Sequence, residues 1–214
     1  MNATYISCLI PLLSFLCLPI LSIAQLTQGP NNPASASNVA CSFSFSSVLG
    51  LSPAGNVFTS NNGYAQANHC ACCDANTNCL RVTDFGFSIP LTAVITGIRV
   101  EIERRGSFGS IIQDNGLRLL KGGVEVGTNN AAFGVNWPYA DAYAVYGNCS
   151  NLWGTTWTPA EINANNFGLV FACIDYTCGG VTISFVDHVR ITVCYDNILP
   201  VDLLDFNAEL KDNN

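Results

Sequence analysis

Cysteine is the residue type that most restricts the chemistry of this chain. The 214 residues include 11 Cys but only two His and one Met. Four of the cysteines cluster in the segment HCACCDANTNC at 69–79. A zinc site would use the donors His69, Cys70, Cys73 and Cys79, with Cys70 and Cys73 as a CxxC pair. A second CxxC pair is missing, so we favour disulfides in an oxidising compartment and predict no metal and no cofactor.

The spacing of the remaining cysteines suggests particular pairs. Cys173 and Cys178 flank a turn between two predicted strands, which favours a local bridge. Cys41 and Cys194 lie on the first and last predicted strands, which are often neighbours in a sandwich, and a bridge there would close a long loop. Nine cysteines follow residue 24, and because nine is odd, at least one thiol stays free or pairs with another chain.

The same cluster resembles the start of a calcium loop. Asp74, Asn76 and Asn78 stand at alternate positions. Cys79, however, stands where such a loop requires glycine, and no Glu follows at the right distance. We therefore expect a solvated, Asn-rich loop.

The two histidines do not form a catalytic triad. His188 follows Asp187 in a predicted strand, where adjacent side chains point to opposite faces, so the carboxylate cannot orient the imidazole. The sequence contains no GxSxG, HExxH, phosphate-binding loop or dinucleotide-binding glycine pattern. We expect that the protein is not an enzyme.

The best candidates for a pair of catalytic acids lie on the strand predicted at 94–105, where four charged residues share one phase. They are Arg99, Glu101, Glu103 and Arg105. Oppositely charged neighbours on one strand face are typical of a solvated charge ladder rather than of a glycosidase.

Asp187 falls in the apolar phase of the strand predicted at 181–195. One explanation is a β-bulge or an ion pair with an inward-facing Arg. The other is a ligand or cation site formed with His188. The sequence leaves both readings open for this buried polar or ion site.

Aromatic residues are concentrated between 133 and 157, which includes every Trp of the chain. Carbohydrate-binding sandwiches present exposed rings as platforms for sugar faces. The candidate platform here is Trp137, Tyr139 and Tyr146. The alternative is that these rings fill the core.

The elements that position these residues are predicted to be strands. Short stretches rich in Val, Ile, Phe and Thr recur between Gly, Asn, Pro and Asp, at 41–49, 79–87, 94–105, 116–121, 124–127, 140–146, 167–173 and 181–195. They predict an all-β fold, a two-sheet antiparallel β-sandwich of jelly-roll type. Thr158-Pro159-Ala160-Glu161 predicts one short helical turn near 159–163, with Thr158 and Glu161 in a capping box.

The chain divides into four segments. Residues 1–24 contain an apolar run that ends in Ser22 and Ala24, as in a Sec signal peptide, although an uncleaved membrane anchor has similar length. Residues 25–40 predict a flexible leader, 41–196 the sandwich domain and 197–214 a C-terminal tail. The net charge of −7 argues against a nucleic-acid partner.

Several motifs resemble a known type of domain. They include FGFSIP at 85–90, GIRVEIERR at 97–105, DNGLRLLKGG at 114–123, LWGTTWTPAEINANNFG at 152–168 and VDHVRITVCY at 186–195. Together they resemble a recurrent β-sandwich module of secreted bacterial proteins and phage structural proteins. The segment LPVDLLDFNAEL at 199–210 is similar to the segment that follows globular domains in Bacteroidetes proteins exported by type IX secretion.

These resemblances imply a non-catalytic, secreted or outer-cell-surface module with an adhesion or structural role. Carbohydrate binding through exposed aromatic residues is the alternative, and a hydrolase without recognisable motifs is a third reading. A surface glycan or a protein is the expected partner, and membrane contact is expected only during export. Without a C-terminal sorting domain, a periplasmic location is expected. The oligomeric state and the ligand cannot be read from the sequence.

Overall fold

The computed structural model describes residues 25–43, 49–69 and 75–197. The predicted signal peptide, nearly all of the predicted tail, Cys70, Cys73 and Asp74 lie outside these residues. The described strands are β1 (Gln25–Asn31), β2 (Ser35–Val39), β3 (Ala65–His69), β4 (Ala75–Asn76), β5 (Cys79–Thr83), β6 (Val94–Gly106), β7 (Ile112–Lys121), β8 (Val124–Val126), β9 (Ala142–Asn148), β10 (Gly168–Asp175) and β11 (Thr182–Asp196). A 3₁₀ helix spans Ala54–Phe58 and an α-helix, α1, spans Pro159–Asn163.

The strands form two antiparallel sheets. In the first sheet, the order is β1–β11–β6–β9, and β3 also pairs with β11. In the second, the order is β2–β5–β10–β7–β8, and β4 also pairs with β10. We number the eight strands β3 and β5–β11 from 1 to 8 along the chain. Their order is then 1-8-3-6 in the first sheet and 2-7-4-5 in the second, which is the strand order of a jelly roll. The predicted all-β sandwich is confirmed.

Apolar side chains from both sheets meet in one main core. Its largest fully buried members include Trp153, Phe167 and Phe171. Strand β10 is buried along its whole length, because a second, smaller cluster that includes Cys79, Leu120 and Val170 covers its other face. Burial on both faces explains why β10 reads as a continuous apolar run rather than as an alternating one.

Helix α1 forms as the capping box predicts. Thr158 Oγ1 accepts a hydrogen bond from the Glu161 backbone N–H, and the Glu161 carboxylate accepts one from the Thr158 N–H. This backbone hydrogen bond lowers the pKa of Glu161. The reciprocal bonds satisfy donors that the first helical turn leaves unpaired.

The prediction of a flexible leader at 25–40 is wrong. Within it, β1 pairs with β11 from Gln25 opposite Asp196 to Asn31 opposite Ile191, and β2 pairs with β5 along its five residues. Both are edge strands whose side chains are mostly exposed. Because backbone hydrogen bonds hold these strands in place, they need no alternating apolar side chains, and their polar sequences show none.

The disulfides differ from the predicted pairs. Cys41 pairs with Cys79, and Cys149 pairs with Cys194. Residue 41 follows β2, which lies beside β5, whereas Cys194 is in the other sheet, so the predicted Cys41–Cys194 bridge is wrong. Cys178 is also disulfide-bonded. The predicted Cys173–Cys178 bridge is wrong as well, because Cys173 is a free thiol buried in the core.

Candidate functional site

The proposed platform of Trp137, Tyr139 and Tyr146 does not form. Trp137 is 3% exposed and Tyr146 is 5% exposed, and both belong to the main core. Tyr139, at 52% exposed, is the member of the three that reaches solvent. The prediction is therefore wrong for two of its three rings. Trp137 stacks on Phe171 of β10, which gives its ring a packing role.

The buried rings are tied to one carboxylate, that of Asp114. Trp137 Nε1 donates a 2.9 Å hydrogen bond to Asp114 Oδ1, and the Tyr146 hydroxyl donates a 2.8 Å bond to Oδ2. The Ala132 backbone N–H also donates to Oδ2, at 2.9 Å. Burial raises the pKa of the Tyr146 hydroxyl, which therefore stays protonated as a donor. A buried Trp or Tyr needs such a partner for its polar atom.

Arg104 completes this buried network. Its guanidinium forms a 3.0 Å ion pair with Asp114 and lies over the Trp137 ring, 4.7 Å from the centroid. Arg104 is on β6 of the first sheet and Asp114 is on β7 of the second, so the pair joins the two sheets. The chemistry is that of a structural tether, because its polar atoms face one another inside the core rather than a cleft.

Exposed apolar side chains gather at the end of the sandwich next to this network. The register places Gly106 opposite Ser184 and Ile112 opposite Asp175, so the β6–β7 and β10–β11 loops lie at the same end. Residues 135–139 lie there too, because the Gly106 N–H donates to Pro138 O and the Trp137 N–H donates to Ile112 O. We call this surface the aromatic end, and its exposed members are Phe108, Ile111, Val135, Tyr139, Tyr176 and Val181.

Two rings lie in contact at the aromatic end. Phe108 is 91% exposed and its ring centroid is 5.3 Å from that of Tyr139. Gly109 follows Phe108 with a φ of +80°, a conformation that costs glycine little and other residues more. The tight turn therefore holds the Phe108 ring out in solvent.

Backbone hydrogen bonds fix the loops of the aromatic end to one another. The Gly106 N–H donates to Pro138 O at 2.8 Å, and the Trp137 N–H donates to Ile112 O at 2.8 Å. The Tyr176 N–H donates to Ile111 O at 3.0 Å. The exposed rings are thus presented from a rigid frame, one loop of which also carries the disulfide-bonded Cys178.

Asp187 and His188 lie at a gap along one edge of β11. Pairing with β3 stops at Val186, and pairing with β1 starts at Ile191. On the other edge, the register with β6 shifts between Val186 and His188, which is the β-bulge that the sequence analysis offered as one explanation. Burial raises the pKa of the Asp187 carboxyl.

Both side chains hold neighbouring loops across this gap. Asp187 Oδ2 accepts 3.1 Å hydrogen bonds from the backbone N–H groups of Asn61 and Asn62. The His188 Nε2–H donates to Asn32 Oδ1 at 2.9 Å, and His188 Nδ1 lies within hydrogen-bond distance of the Tyr143 hydroxyl, at 2.8 Å. Burial lowers the pKa of His188, which favours the neutral imidazole. Their contacts are those of a structural fastening.

The charge ladder on β6 is only partly solvated. Glu101 is buried and accepts from two arginines, Arg99 at 3.1 Å and Arg190 at 3.0 Å. Arg190 comes from the neighbouring strand β11, and this partner encloses the carboxylate. Within the described ranges, no group of three or more His, Cys, Asp or Glu side chains is arranged to hold a metal ion.

Two residues central to this geometry were missed by the sequence analysis. Asp114 occupies a buried position on β7. In the sequence it shares its strand phase with Arg118, whereas the core residues Leu117 and Leu119 are in the other phase, so alternation gave no signal. A register shift with β10 between the partners of Gly116 and Asp114 turns the carboxylate inward. Phe108 lies in SFGS, where a ring beside glycine at a strand end indicates a turn that exposes the ring.

Comparison of the chain with protein-family models, with curated proteins and with solved structures finds no match in any of the three. None of the helices in the described ranges is long and apolar enough to cross a membrane. The disulfides are compatible with an extracellular or periplasmic location.

Proposed function

We propose that this chain is a non-catalytic, secreted or cell-surface module with an adhesion or structural role, and that it contacts a protein partner through the aromatic end. The observation that carries the proposal is the pair of exposed rings, Phe108 and Tyr139, on a hydrogen-bonded frame. Large exposed apolar groups on a soluble surface are typical of interaction sites. Aromatic anchors are also enriched among the residues that dominate binding energy.

Rigidity favours the same role. A surface whose loops are already fixed loses little conformational entropy on binding, so its contacts are converted more fully into affinity. The ionic networks of the described residues hold sheets and loops together, as at Asp114 and Asp187, which favours a scaffold over a catalyst.

The cellular setting is part of the proposal. The apolar run at residues 6–24 and the segment LPVDLLDFNAEL resemble export signals of a Bacteroidetes type IX route, and the motifs between 85 and 195 resemble a module of secreted proteins. The disulfides support an oxidising destination.

The test of this function is binding of the labelled, oxidised chain to intact cells of the organism that produces it. We expect saturable binding, with at least a tenfold rise in the half-saturating concentration for the double variant Phe108→Ala and Tyr139→Ala. The matched control is Val124→Ala, an exposed apolar residue at the opposite end of β7 and β8. Equal binding by the double variant and the native chain would refute the assignment to the aromatic end.

Carbohydrate binding is the second candidate for the same surface. Tyr139 remains exposed, and three residues before it Asn136 accepts a 2.8 Å hydrogen bond from Gln113 in an exposed amide pair. An exposed ring and an exposed carboxamide carried on one loop suit a sugar ring and its hydroxyls. Glycan binding that disappears in Tyr139→Ala would favour this candidate over a protein contact.

A further inference from the structure

A polar groove separate from the aromatic end opens between the edge strands β2 and β3 of the two sheets. Its volume is about 470 Å³, within the range of roughly 300–1,000 Å³ that is typical of ligand sites. Four carboxamide side chains line it, together with the hydroxyl of Ser52. The carboxamides are those of Asn38, Gln66, Asn68 and Asn78.

The lining selects a chemical class of ligand. No charged side chain is among the described residues that line the groove. These residues offer an ionic ligand no counter-charge, and the net charge of −7 disfavours an anionic ligand. Each carboxamide carries both donors and an acceptor. A neutral ligand rich in hydroxyl groups, each also a donor and an acceptor, is the match for such a surface.

The backbone holds two of these amides in fixed positions on β3. The Gln66 N–H and C=O exchange hydrogen bonds of 3.1 and 3.0 Å with Ser52. Residues two apart on a strand point the same way, so Asn68 directs its side chain and its backbone groups to the same side as Gln66. Both side chains are exposed, whereas Ala65, Ala67 and His69 between and beside them are buried.

Asn38 is fixed on the opposite wall. Its Nδ2 donates a 2.9 Å hydrogen bond to Leu51 O, which leaves Oδ1 available as an acceptor. Gly50 lies against this amide, and a Cβ atom at position 50 would come within 2.7 Å of Asn38 Cγ. Glycine is therefore required for the amide to keep its place.

We propose that this amide groove binds a neutral oligosaccharide through hydrogen bonds from Asn38, Gln66 and Asn68. The groove is distinct from the aromatic end, so this binding is additional to the proposed protein contact. The ligand is recognised by its hydroxyl groups, which pair with the carboxamides.

Isothermal titration of the oxidised full chain with cellohexaose, xylohexaose and mannohexaose tests the proposal, with pentagalacturonate as the charged comparator. We expect saturable binding of at least one neutral hexasaccharide and none of pentagalacturonate. The double variant Gln66→Ala and Asn68→Ala should weaken binding about tenfold or more, since two hydrogen bonds are lost. Gly50→Ala should also weaken it, because the new methyl group displaces Asn38.

Two controls separate this site from the aromatic end. Asn165→Ala removes an exposed carboxamide outside both the groove and the aromatic end, and it should leave saccharide binding unchanged. Tyr139→Ala should leave binding at the groove unchanged as well. Failure of all three neutral hexasaccharides to bind to the folded chain would overturn the proposal. Binding that is lost in Tyr139→Ala but kept in the groove variants would overturn it too. Neither result would alter the cell-binding test of Phe108 and Tyr139.

Discussion

Replacing Asp114 by Ala should lower the free energy of unfolding by about 4 kcal/mol or more. The carboxylate accepts hydrogen bonds from Trp137, Tyr146 and the Ala132 N–H and pairs with Arg104. The substitution removes the acceptor for all of these donors at once and leaves a buried cation without its partner.

The magnitude follows from burial. The Asp114 side chain is 0% exposed and that of Arg104 is 4% exposed. Removing one member of a buried ion pair costs about 3–5 kcal/mol. Each neutral donor left unpaired in the core costs about 1–3 kcal/mol more. Groups that share one partner do not act additively, so the expected total is smaller than the sum, at about 4 kcal/mol or more.

Urea denaturation, with the m-value fitted for each variant, measures the effect. The matched control is Asp141→Ala. Asp141 forms a 3.4 Å ion pair near the surface with Arg105, the neighbour of Arg104 in the chain. That variant should lose about 1 kcal/mol or less. Adding Arg104→Met to Asp114→Ala should cost little further or restore stability, because it removes the unpaired charge. If Asp114→Ala cost no more than Asp141→Ala, the role assigned to the buried pair would be refuted.

Three more outcomes are expected. Burial raises the pKa of the Cys173 thiol to about 12, so the thiol is protonated and unreactive at pH 8 in the folded chain. Peptide mapping after iodoacetamide treatment at pH 8 should find Cys173 unlabelled in the folded chain and labelled in urea. Labelling of the folded chain would contradict this. Burial also raises the pKa of Asp187, so stability from its protonated form is present below about pH 4 and is lost as the pH rises. Asp187→Asn keeps an oxygen that accepts from the Asn61 and Asn62 N–H groups and carries no charge. Its stability relative to the native chain, measured by urea titration, should increase between about pH 4 and 7. A gain that shrinks with rising pH would contradict a raised pKa of Asp187. Replacing Cys149 and Cys194 together by Ser opens a bridge with a sequence separation of 45 residues. The free energy of unfolding in the same titrations should fall by up to about 4 kcal/mol. Unchanged stability would show that the bridge does not restrain the unfolded chain.

Local patterns were sufficient for much of the fold. Alternation along 94–105 predicts β6, and the series at 181–195 predicts β11, because strand periodicity is a property of neighbouring residues. Thr158 and Glu161 predict α1 for the same reason, since both capping partners lie within four residues. The bulge at Asp187 was one of two readings, and the alternation that singled it out is also local.

Partners that are distant in the chain were not predictable in this way. The segments 25–31 and 35–39 carry polar side chains and become strands only because β11 and β5 offer them backbone partners. Cys41 reaches Cys79 because β2 lies beside β5, which depends on sheet order.

The candidate site divides along the same line. Aromatic residues at 133–157 were recognised from composition, but a Trp has the same sequence signal on a surface and in a core. Trp137 became a core residue because Asp114, 23 positions earlier, accepts its indole N–H. Phe108 and Tyr139 became neighbours because the Gly106 N–H binds Pro138 O. The sequence alone determined which segments alternate and which residue types are available, whereas burial and pairing arose from contacts across the two sheets, which no local pattern encodes.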